Sequence, residues 1–514
     1  MKKIVGMGAA VALAASMFAA EPAANAAVTE FTGNASVEWG VDLDSKKTGF
    51  KNSTDAQLKF KLFDGGSKST EGSGIWAELK IKSDDDGNPA WKAENGTPTI
   101  NGAVIDTAKI HIYNFYVGIQ KGDTETGEFK PQAAIVSDKA WLVNVGPAGF
   151  TQGLVFGYDD SNIDAKVDFR SFEDTSEKTP TQYTNAYAIA AEATMKDANE
   201  WVEGLEVKGG VSYNFSKNYY EKAANNLAVK KFALKHGINS VEGSILGYSG
   251  SVAYKVALDD KYYIKPMAGI VGDVLSGELG TVDYLRNGNE FVASVLFGWG
   301  AQVDANAGVP FLDGDDAKKV TPGVSVVFTM PLPIKETMDS KDKSTYVRDI
   351  AKIVPSIYSG DIFDGLKFGA YSEIILMRDE VEVGSGYIKD ACADKDRATA
   401  IAIAAGASYD VKAGDVTITT KAGARYANKA YVENSFINKD KDGKEVGLFK
   451  DLGYAKDDEG YLNLKIGADI NGLLDNTTFF VNYTSANLLN ETDYADDYYA
   501  VKAGTLNVGA KIHF

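Results

Sequence analysis

The sequence predicts an all-β protein: a large antiparallel transmembrane β-barrel of about 20 strands, with long surface loops and minor loop helices. Three observations lead to this prediction. Apolar and polar residues alternate along most of the chain, a secretory signal peptide precedes them, and the last residues alternate up to a terminal aromatic residue. An N-terminal β domain followed by a smaller C-terminal barrel is the alternative architecture.

Alternation with a period of two is the dominant signal. In Ile163–Arg170 the odd positions are apolar and the even positions are charged, so a strand there has one apolar and one polar face. About 20 such strands would enclose a lumen rather than a packed core. Similar segments are Ala35–Leu43, Ala56–Leu62, Ile75–Lys82, Leu205–Phe215, Tyr248–Leu258, Tyr262–Ile270, Phe291–Val303, Val324–Phe328, Leu366–Ile374, Ile403–Val411, Val416–Tyr426, Leu462–Ile470 and Phe479–Tyr483.

The first residues have the three-part layout of a signal peptide. Two lysines precede the apolar run Ile4–Ala20, and small residues follow at Ala24 and Ala26. We expect cleavage after Ala26, with Ala20 and Ala27 as alternative sites. The other interpretation is a buried N-terminal helix. After this segment no apolar run approaches the ~20 residues of a spanning helix, so a membrane would have to be crossed by a closed barrel.

The last residues predict a barrel-assembly strand. Its apolar face consists of Leu506, Val508, Ala510, Ile512 and Phe514. Terminal strands of bacterial outer-membrane barrels end on such an aromatic residue, which resembles the signal read by the barrel-assembly machinery. The alternative is an ordinary amphipathic edge strand.

Composition narrows the possible partners. Lys and Arg total 53 against 71 Asp and Glu, a net charge of −18, which argues against nucleic acid and against docking on anionic lipid. The 52 glycines, 12 prolines and 26 tyrosines fit barrel strands with aromatic girdles. Cys392 is the one cysteine, so an internal disulfide and Cys-rich metal sites are excluded.

Signals of catalysis or metal binding are weak. The three histidines, His111, His236 and His513, share no metal-ligand spacing and have no nucleophile signature beside them. Asn438–Gly443 imitates the start of a calcium loop, but Phe449 stands where the bidentate glutamate belongs. We therefore predict no catalytic residue, no metal site, no cofactor and no enzymatic activity, although the many carboxylates leave a glycosidase-type pair open.

Connection lengths suggest an orientation and a division of the chain. Short turns on one side and long loops on the other are typical of outer-membrane barrels, and we expect 378–399, 428–460 and 485–502 to lie outside, with the last strand running towards the periplasm. The predicted regions are 1–26 (signal peptide), 27–215 (N-terminal β region), 216–246 (helical or loop connection) and 247–514 (C-terminal barrel).

The layout breaks in the middle of the chain. Residues 272–290, 304–322 and 331–365 read as consecutive long connections, so either a strand is hidden there or an insertion lies on the turn side. Two loop helices are also predicted from spacing. One is Tyr219–Lys235, and the other contains Val347, Ile350, Ala351 and Val354 before Pro355.

Several strand-like motifs resemble the treponemal major outer sheath protein (Msp/Tpr) family. They are Ala35–Leu43, Gly49–Asn52, Gly74–Ile81 and Thr321–Phe328, together with the aromatic end. The resemblance implies an abundant, oligomeric outer-sheath protein with porin activity, which adheres to host matrix proteins such as fibronectin and laminin. Some members have an N-terminal region distinct from a C-terminal barrel. No adhesion residue is carried over, because no adhesion motif matches position by position.

The sequence therefore favours an outer-membrane porin, a water-filled diffusion channel in contact with outer-membrane lipid, whose surface loops act in adhesion. If the acidic residues line the lumen, a mild preference for cations follows. A surface adhesin without a channel, or a soluble periplasmic or surface-layer β-protein, remains the alternative.

Overall fold

A computed structural model describes most of the predicted mature chain. The described residues are 27–43, 46–61, 75–83, 91–94, 97–100, 103–120, 131–136, 152–173, 183–214, 241–279, 282–304, 309–310, 319–338, 341–345, 349–377, 399–432, 460–489 and 503–513. Ala24 and Ala26 of the predicted cleavage site lie outside these ranges, as do Phe514, Cys392 and 438–443.

Within these ranges the secondary structure is nearly all β-strand, and residues 429–432 begin a helix. The strands are β1 (Ala27–Asp42), β2 (Thr48–Lys61), β3 (Ile75–Ser83), β4 (Trp91–Glu94), β5 (Thr97–Ile100), β6 (Ala103–Ile112), β7 (Phe115–Gln120), β8 (Ile135–Val136), β9 (Gln152–Asp159), β10 (Ile163–Glu173), β11 (Tyr183–Met195), β12 (Leu205–Asn214), β13 (Val241–Tyr254), β14 (Val256–Ala257), β15 (Tyr263–Leu279), β16 (Val282–Gly298), β17 (Val303–Asp304), β18 (Lys319–Val320), β19 (Gly323–Pro331), β20 (Ile334–Met338), β21 (Lys341–Thr345), β22 (Asp349–Tyr358), β23 (Leu366–Met377), β24 (Ala400–Ala413), β25 (Val416–Asn428), β26 (Gly460–Asn471), β27 (Thr477–Thr484) and β28 (Thr505–His513).

The described strands form one large antiparallel sheet whose pairings return to their starting point. It contains 23 segments, and β14, β20 and β21 continue β13, β19 and β22, which leaves 20 strand positions. The ring closes because β1 pairs with β2 on one edge and with β28 on the other, where Asn34 lies opposite His513. The all-β antiparallel architecture of the predicted size is confirmed.

The two regions divided at 215 contribute to the same sheet, because β12 pairs with β13 from Leu205 opposite Tyr254 onwards. The connection expected at 216–246 is shorter at its end, since β13 begins at Val241. The helix predicted over Tyr219–Lys235 lies outside the described residues. Among the described residues, no helix has the length and apolar character that crossing a membrane requires.

The outer face of the sheet is apolar, as the alternation predicts, and the inner face is polar except where Val292, Val327 and Val354 join a buried apolar cluster. Val167 on β10 is 39% exposed and lies between Phe156 of β9 and Ala191 of β11, whereas the neighbouring Asp168 is buried inside. On the terminal strand, Val508 faces outward beside Trp39 and Val481. Leu506, Ala510 and Ile512 share that face by register.

The two ends of the ring differ. We call the end where β1 begins and β28 ends the turn end, and the opposite one the loop end. Tight turns at 113–114, 160–162, 414–415 and 472–476 lie at the turn end. The loop end carries 84–102, 121–151, 174–182, 215–240, 378–399, 429–459 and 485–504. The three connections expected outside therefore do share one end, opposite the C-terminus.

Aspartates shape two of the turns. The Asp160 carboxylate accepts hydrogen bonds from the Tyr158 hydroxyl (2.6 Å) and from the backbone N–H groups of Ile163 and Asn162 (2.7 Å each), and these bonds lower the pKa of Asp160. Backbone N–H groups of Tyr262 and Lys261 lower the pKa of Asp259 in the same way. Such Asx turns explain why an aspartate begins each of these two turns.

The long connection expected over 272–290 is wrong and hidden strand lies there instead, since β15 and β16 pair along their whole length from Tyr263 opposite Gly298 to Leu279 opposite Val282. The alternation fades there because the outer face becomes polar towards the loop end. Tyr248 donates a hydrogen bond to Asn289, and Asn289 donates to Asn287 at 2.9 Å.

The helix predicted before Pro355 is also wrong, since Asp349–Tyr358 form strand β22. A bulge between Asp349 and Ala351 changes the local period from two to three, which gives Ile350 and Ile353 a helix-like spacing. Most of 331–365 is strand, whereas 304–322 is the insertion on the turn side. Both explanations offered for the break therefore apply.

Candidate functional site in the barrel lumen

The inner face of the wall carries charges of both signs. Lys166 pairs with Glu192 across β10 and β11 at 3.1 Å, and Lys421 pairs with Asp469 across β25 and β26 at 2.7 Å. At the turn end, Lys265 contacts Asp197 at 3.0 Å and Glu206 at 2.9 Å. Around these ion pairs the inner face favours water over a packed apolar filling.

A short piece of chain lies inside the ring. Pro131–Val136, which we call the inner segment, belongs to the connection between β7 and β9 at the loop end. Ala134 is 0% exposed, and Ala133 and Ile135 are 3% exposed each. The inner segment is therefore enclosed by other parts of the protein, not displayed on a loop.

Serines of the inner wall hold the inner segment by its backbone. The N–H groups of Gln132, Ala134 and Ile135 donate to the Oγ atoms of Ser294, Ser325 and Ser356, at 3.1, 2.9 and 3.3 Å respectively. Ser325 and Ser356 also bond to each other at 2.6 Å. All three serines are buried near the turn-end limits of β16, β19 and β22.

A second connection meets the inner segment from the other end. Residues 299–322 leave β16 at the turn end and form β17 and β18, and β18 pairs with β8 of the inner segment. The N–H of Thr321 donates to the carbonyl of Ala134 at 2.7 Å. Connections from opposite ends of the ring thus form one internal sheet.

The wall is adapted to this filling by small residues. Val309 and Pro310 of the second connection are buried against β24, where a Cβ on Gly406 would lie 2.5 Å from the Pro310 carbonyl oxygen. A larger residue would displace backbone, so glycine permits the close approach. The neighbouring inward residues are Ala400, Ala402 and Ala404, each 0% exposed.

A buried charged network lies on the same side of the lumen. Lys352 of β22 pairs with Glu373 of β23 at 2.5 Å, and their side chains are 3% and 1% exposed. The Tyr431 hydroxyl donates to the second Glu373 oxygen at 2.7 Å. Asn428 accepts a hydrogen bond from the Tyr431 N–H at 2.9 Å, which starts the helix of the loop-end connection 429–459 inside the wall.

The residues singled out from the sequence lie elsewhere. Leu506, Val508, Ala510 and Ile512 belong to the lipid-facing side of β28, away from the lumen. Among the histidines, His111 lies beside Tyr116, with ring centroids 5.3 Å apart. In the described ranges no three His, Cys, Asp or Glu side chains converge as metal ligands. The inner segment was missed, although a short apolar run within a long connection was a usable signal.

A closed antiparallel ring with apolar residues outside and charged residues inside is the architecture of an outer-membrane β-barrel, because lipid tolerates strands only where every backbone group is paired. The chain is 26% identical over its whole length to the major surface protein MspTL of Treponema lecithinolyticum, and covers all of it. It is 42% identical to the major outer membrane protein MspA of Treponema maltophilum over 35% of each chain. These similarities are to treponemal major surface and outer membrane proteins, and the place of the chain is the outer membrane.

Other comparisons add little. No family model matches the chain. Solved structures with similar strand arrangements include a porin refined at 1.8 Å (TM-score 0.33, 10% identity, 95% of this chain and 100% of that one). Another is OmpT, an outer membrane protein of Vibrio cholerae (TM-score 0.35, 8% identity, 95% and 99%). Likeness at this level carries no argument about function.

Proposed function

We propose that the protein is a porin, a channel for passive diffusion of small hydrophilic solutes. The observation that supports it most is the closed ring of strands with ion pairs such as Lys166–Glu192 on its inner face. A ring of 20 strands is larger than the 16–18 strands that leave an aqueous channel in known porins.

Selectivity should be weak. A preference for cations requires an excess of acidic residues along the lumen. On the described inner face, however, acidic side chains are paired with basic ones, as in Lys421–Asp469 and Lys265–Glu206. The reversal potential in a salt gradient should therefore lie close to zero.

Single-channel recording of the detergent-purified protein in a planar bilayer tests the channel. We expect large, stable conductance steps, and none from a variant truncated before Thr505, because β28 supplies the pairing on which closure depends. Silence from protein shown to be folded and inserted would contradict the porin and favour a non-channel adhesin or surface-layer protein. Solubility without detergent would contradict the barrel itself.

Adhesion to a host matrix protein such as fibronectin or laminin is proposed as a second role. The family resemblance suggests it, and the gathering of seven of the long connections at the loop end supports it. We also propose that the protein forms a homo-oligomer in outer-membrane lipid. The barrel-assembly machinery would recognise it through β28.

Deleting 378–399 and 433–459 together should abolish binding to immobilised fibronectin or laminin while conductance steps persist, because Tyr431 and its bond to Glu373 are kept. The matched control shortens the turn-end connection 62–74 between β2 and β3, which should leave binding intact. Matrix binding that survives the double deletion would contradict this assignment of the adhesive loops.

A further inference from the structure

The inner segment lies near the turn end of the ring, although the connection to which it belongs begins and ends at the loop end. The strands that flank it, β7 and β9, both meet this connection at the loop end. Its serine partners nevertheless lie close to the turn end: Ser325 is in the first residues of β19, and Ser356 in the last residues of β22. The gap from Gln120 to Pro131 can reach roughly 35 Å, enough to span the depth of a membrane wall.

The inner segment also takes up part of the cross-section of the lumen and does not simply lie flat along the wall. One edge bonds to β16, β19 and β22 through serines, and the other edge pairs with β18, where Lys319 lies opposite Val136. With Val309 and Pro310 against β24, this filling covers the part of the wall between β16 and β24. The opposite part of the wall, including Asn507 on β28, faces the remaining lumen.

The attachment is both polar and apolar. A typical intramolecular hydrogen bond contributes about 0.5–1.5 kcal/mol net, and Ala133 and Ile135 also belong to a buried apolar cluster that includes Val292, Val327 and Val354 of the wall. A serine hydroxyl can accept a hydrogen bond from the inner segment only where a backbone N–H group of that segment comes within hydrogen-bond distance. The spacing of Ser294, Ser325 and Ser356 therefore fixes where the segment lies in the lumen.

We propose that the inner segment, held by Ser294, Ser325 and Ser356, is the constriction that sets the size limit of the channel. This rests on the proposed function. Passage is limited where the lumen is narrowest, and the internal sheet is the point at which connections from both ends meet. Gln132 is half-buried between the buried residues Pro131 and Ala133, so it keeps more exposed surface inside the ring than its neighbours do.

The first test removes the three hydroxyls in S294A/S325A/S356A. Loss of the anchors should raise single-channel conductance about twofold and admit larger neutral sugars in liposome swelling. The control is Ser212→Ala, since Ser212 is an inward, 2% exposed serine of β12 whose hydroxyl has no hydrogen-bond partner in the described ranges. Conductance and size limit unchanged in the triple variant would overturn the proposal.

A second test does not depend on refolding of the altered wall. Gln132→Cys, in a Cys392→Ser background, is labelled with a bulky thiol reagent during recording, and current should fall by more than half on labelling, a rough expectation from pore narrowing. Asn507→Cys on the open wall is the matched control, with a much smaller fall. Equal effects at both sites would overturn the proposal, whereas wild-type protein without steps would refute the porin instead.

Discussion

Glu373→Gln should lower the free energy of unfolding by about 3–5 kcal/mol, because it leaves Lys352 buried without its carboxylate partner. The same change weakens the bond from the Tyr431 hydroxyl to residue 373. Since Glu373 and Tyr431 hold residues 429–432 against the inner wall, the substitution affects both the wall and the start of the helix that follows β25. Urea titration of the protein folded in phospholipid vesicles measures it.

Two further variants separate charge from packing. The double change Lys352→Met with Glu373→Leu leaves no buried charge, so it should cost much less than Glu373→Gln alone. Tyr431→Phe removes one hydrogen bond to a charged group and should cost about 1.5–3 kcal/mol. If Glu373→Gln proved as stable as the wild type, the pair would contribute nothing to the fold and its burial would need another explanation.

The sequence allowed the wall to be predicted because lipid and water impose opposite demands on neighbouring residues. Wherever the outer face contacts the apolar band, as at Val167 beside Asp168, a period of two is obligatory. The prediction of strands was weaker where the outer face no longer contacts lipid. Asn287 and Asn289 lie on the outer face beyond the apolar band, and the strand continues there without its signature.

The lumen filling was not predictable from local patterns. The inner segment is separated from Ser294, Ser325 and Ser356 by 162, 191 and 221 residues, and no periodicity relates them. Serines on an inward face look like any other lumen residue, and a short buried run in a connection resembles a loop. Register across the ring brings them together, and register is a property of the closed barrel rather than of any strand.

Val508→Arg should cost about 2–4 kcal/mol when the protein folds into phospholipid vesicles, the amount found for a lipid-facing arginine near the midplane. Val508 is 45% exposed, stands near the middle of β28 and lies between Trp39 and Val481 on the apolar face. Its predecessor Asn507 points to the lumen, between Gly40 and Asn482.

Asn507→Arg is therefore the matched control, since the same side chain one residue earlier enters water and should leave folding nearly unchanged. Both changes occur on one strand with the same partners, β1 and β27. The comparison therefore separates the effect of the face on which the arginine lies from the effect of its β-propensity. Equal costs at the two positions would mean that β28 has no lipid side. In that case the alternation of Leu506, Val508, Ala510 and Ile512 would belong to an ordinary sheet in water, and the sheet would not be the wall of a membrane channel.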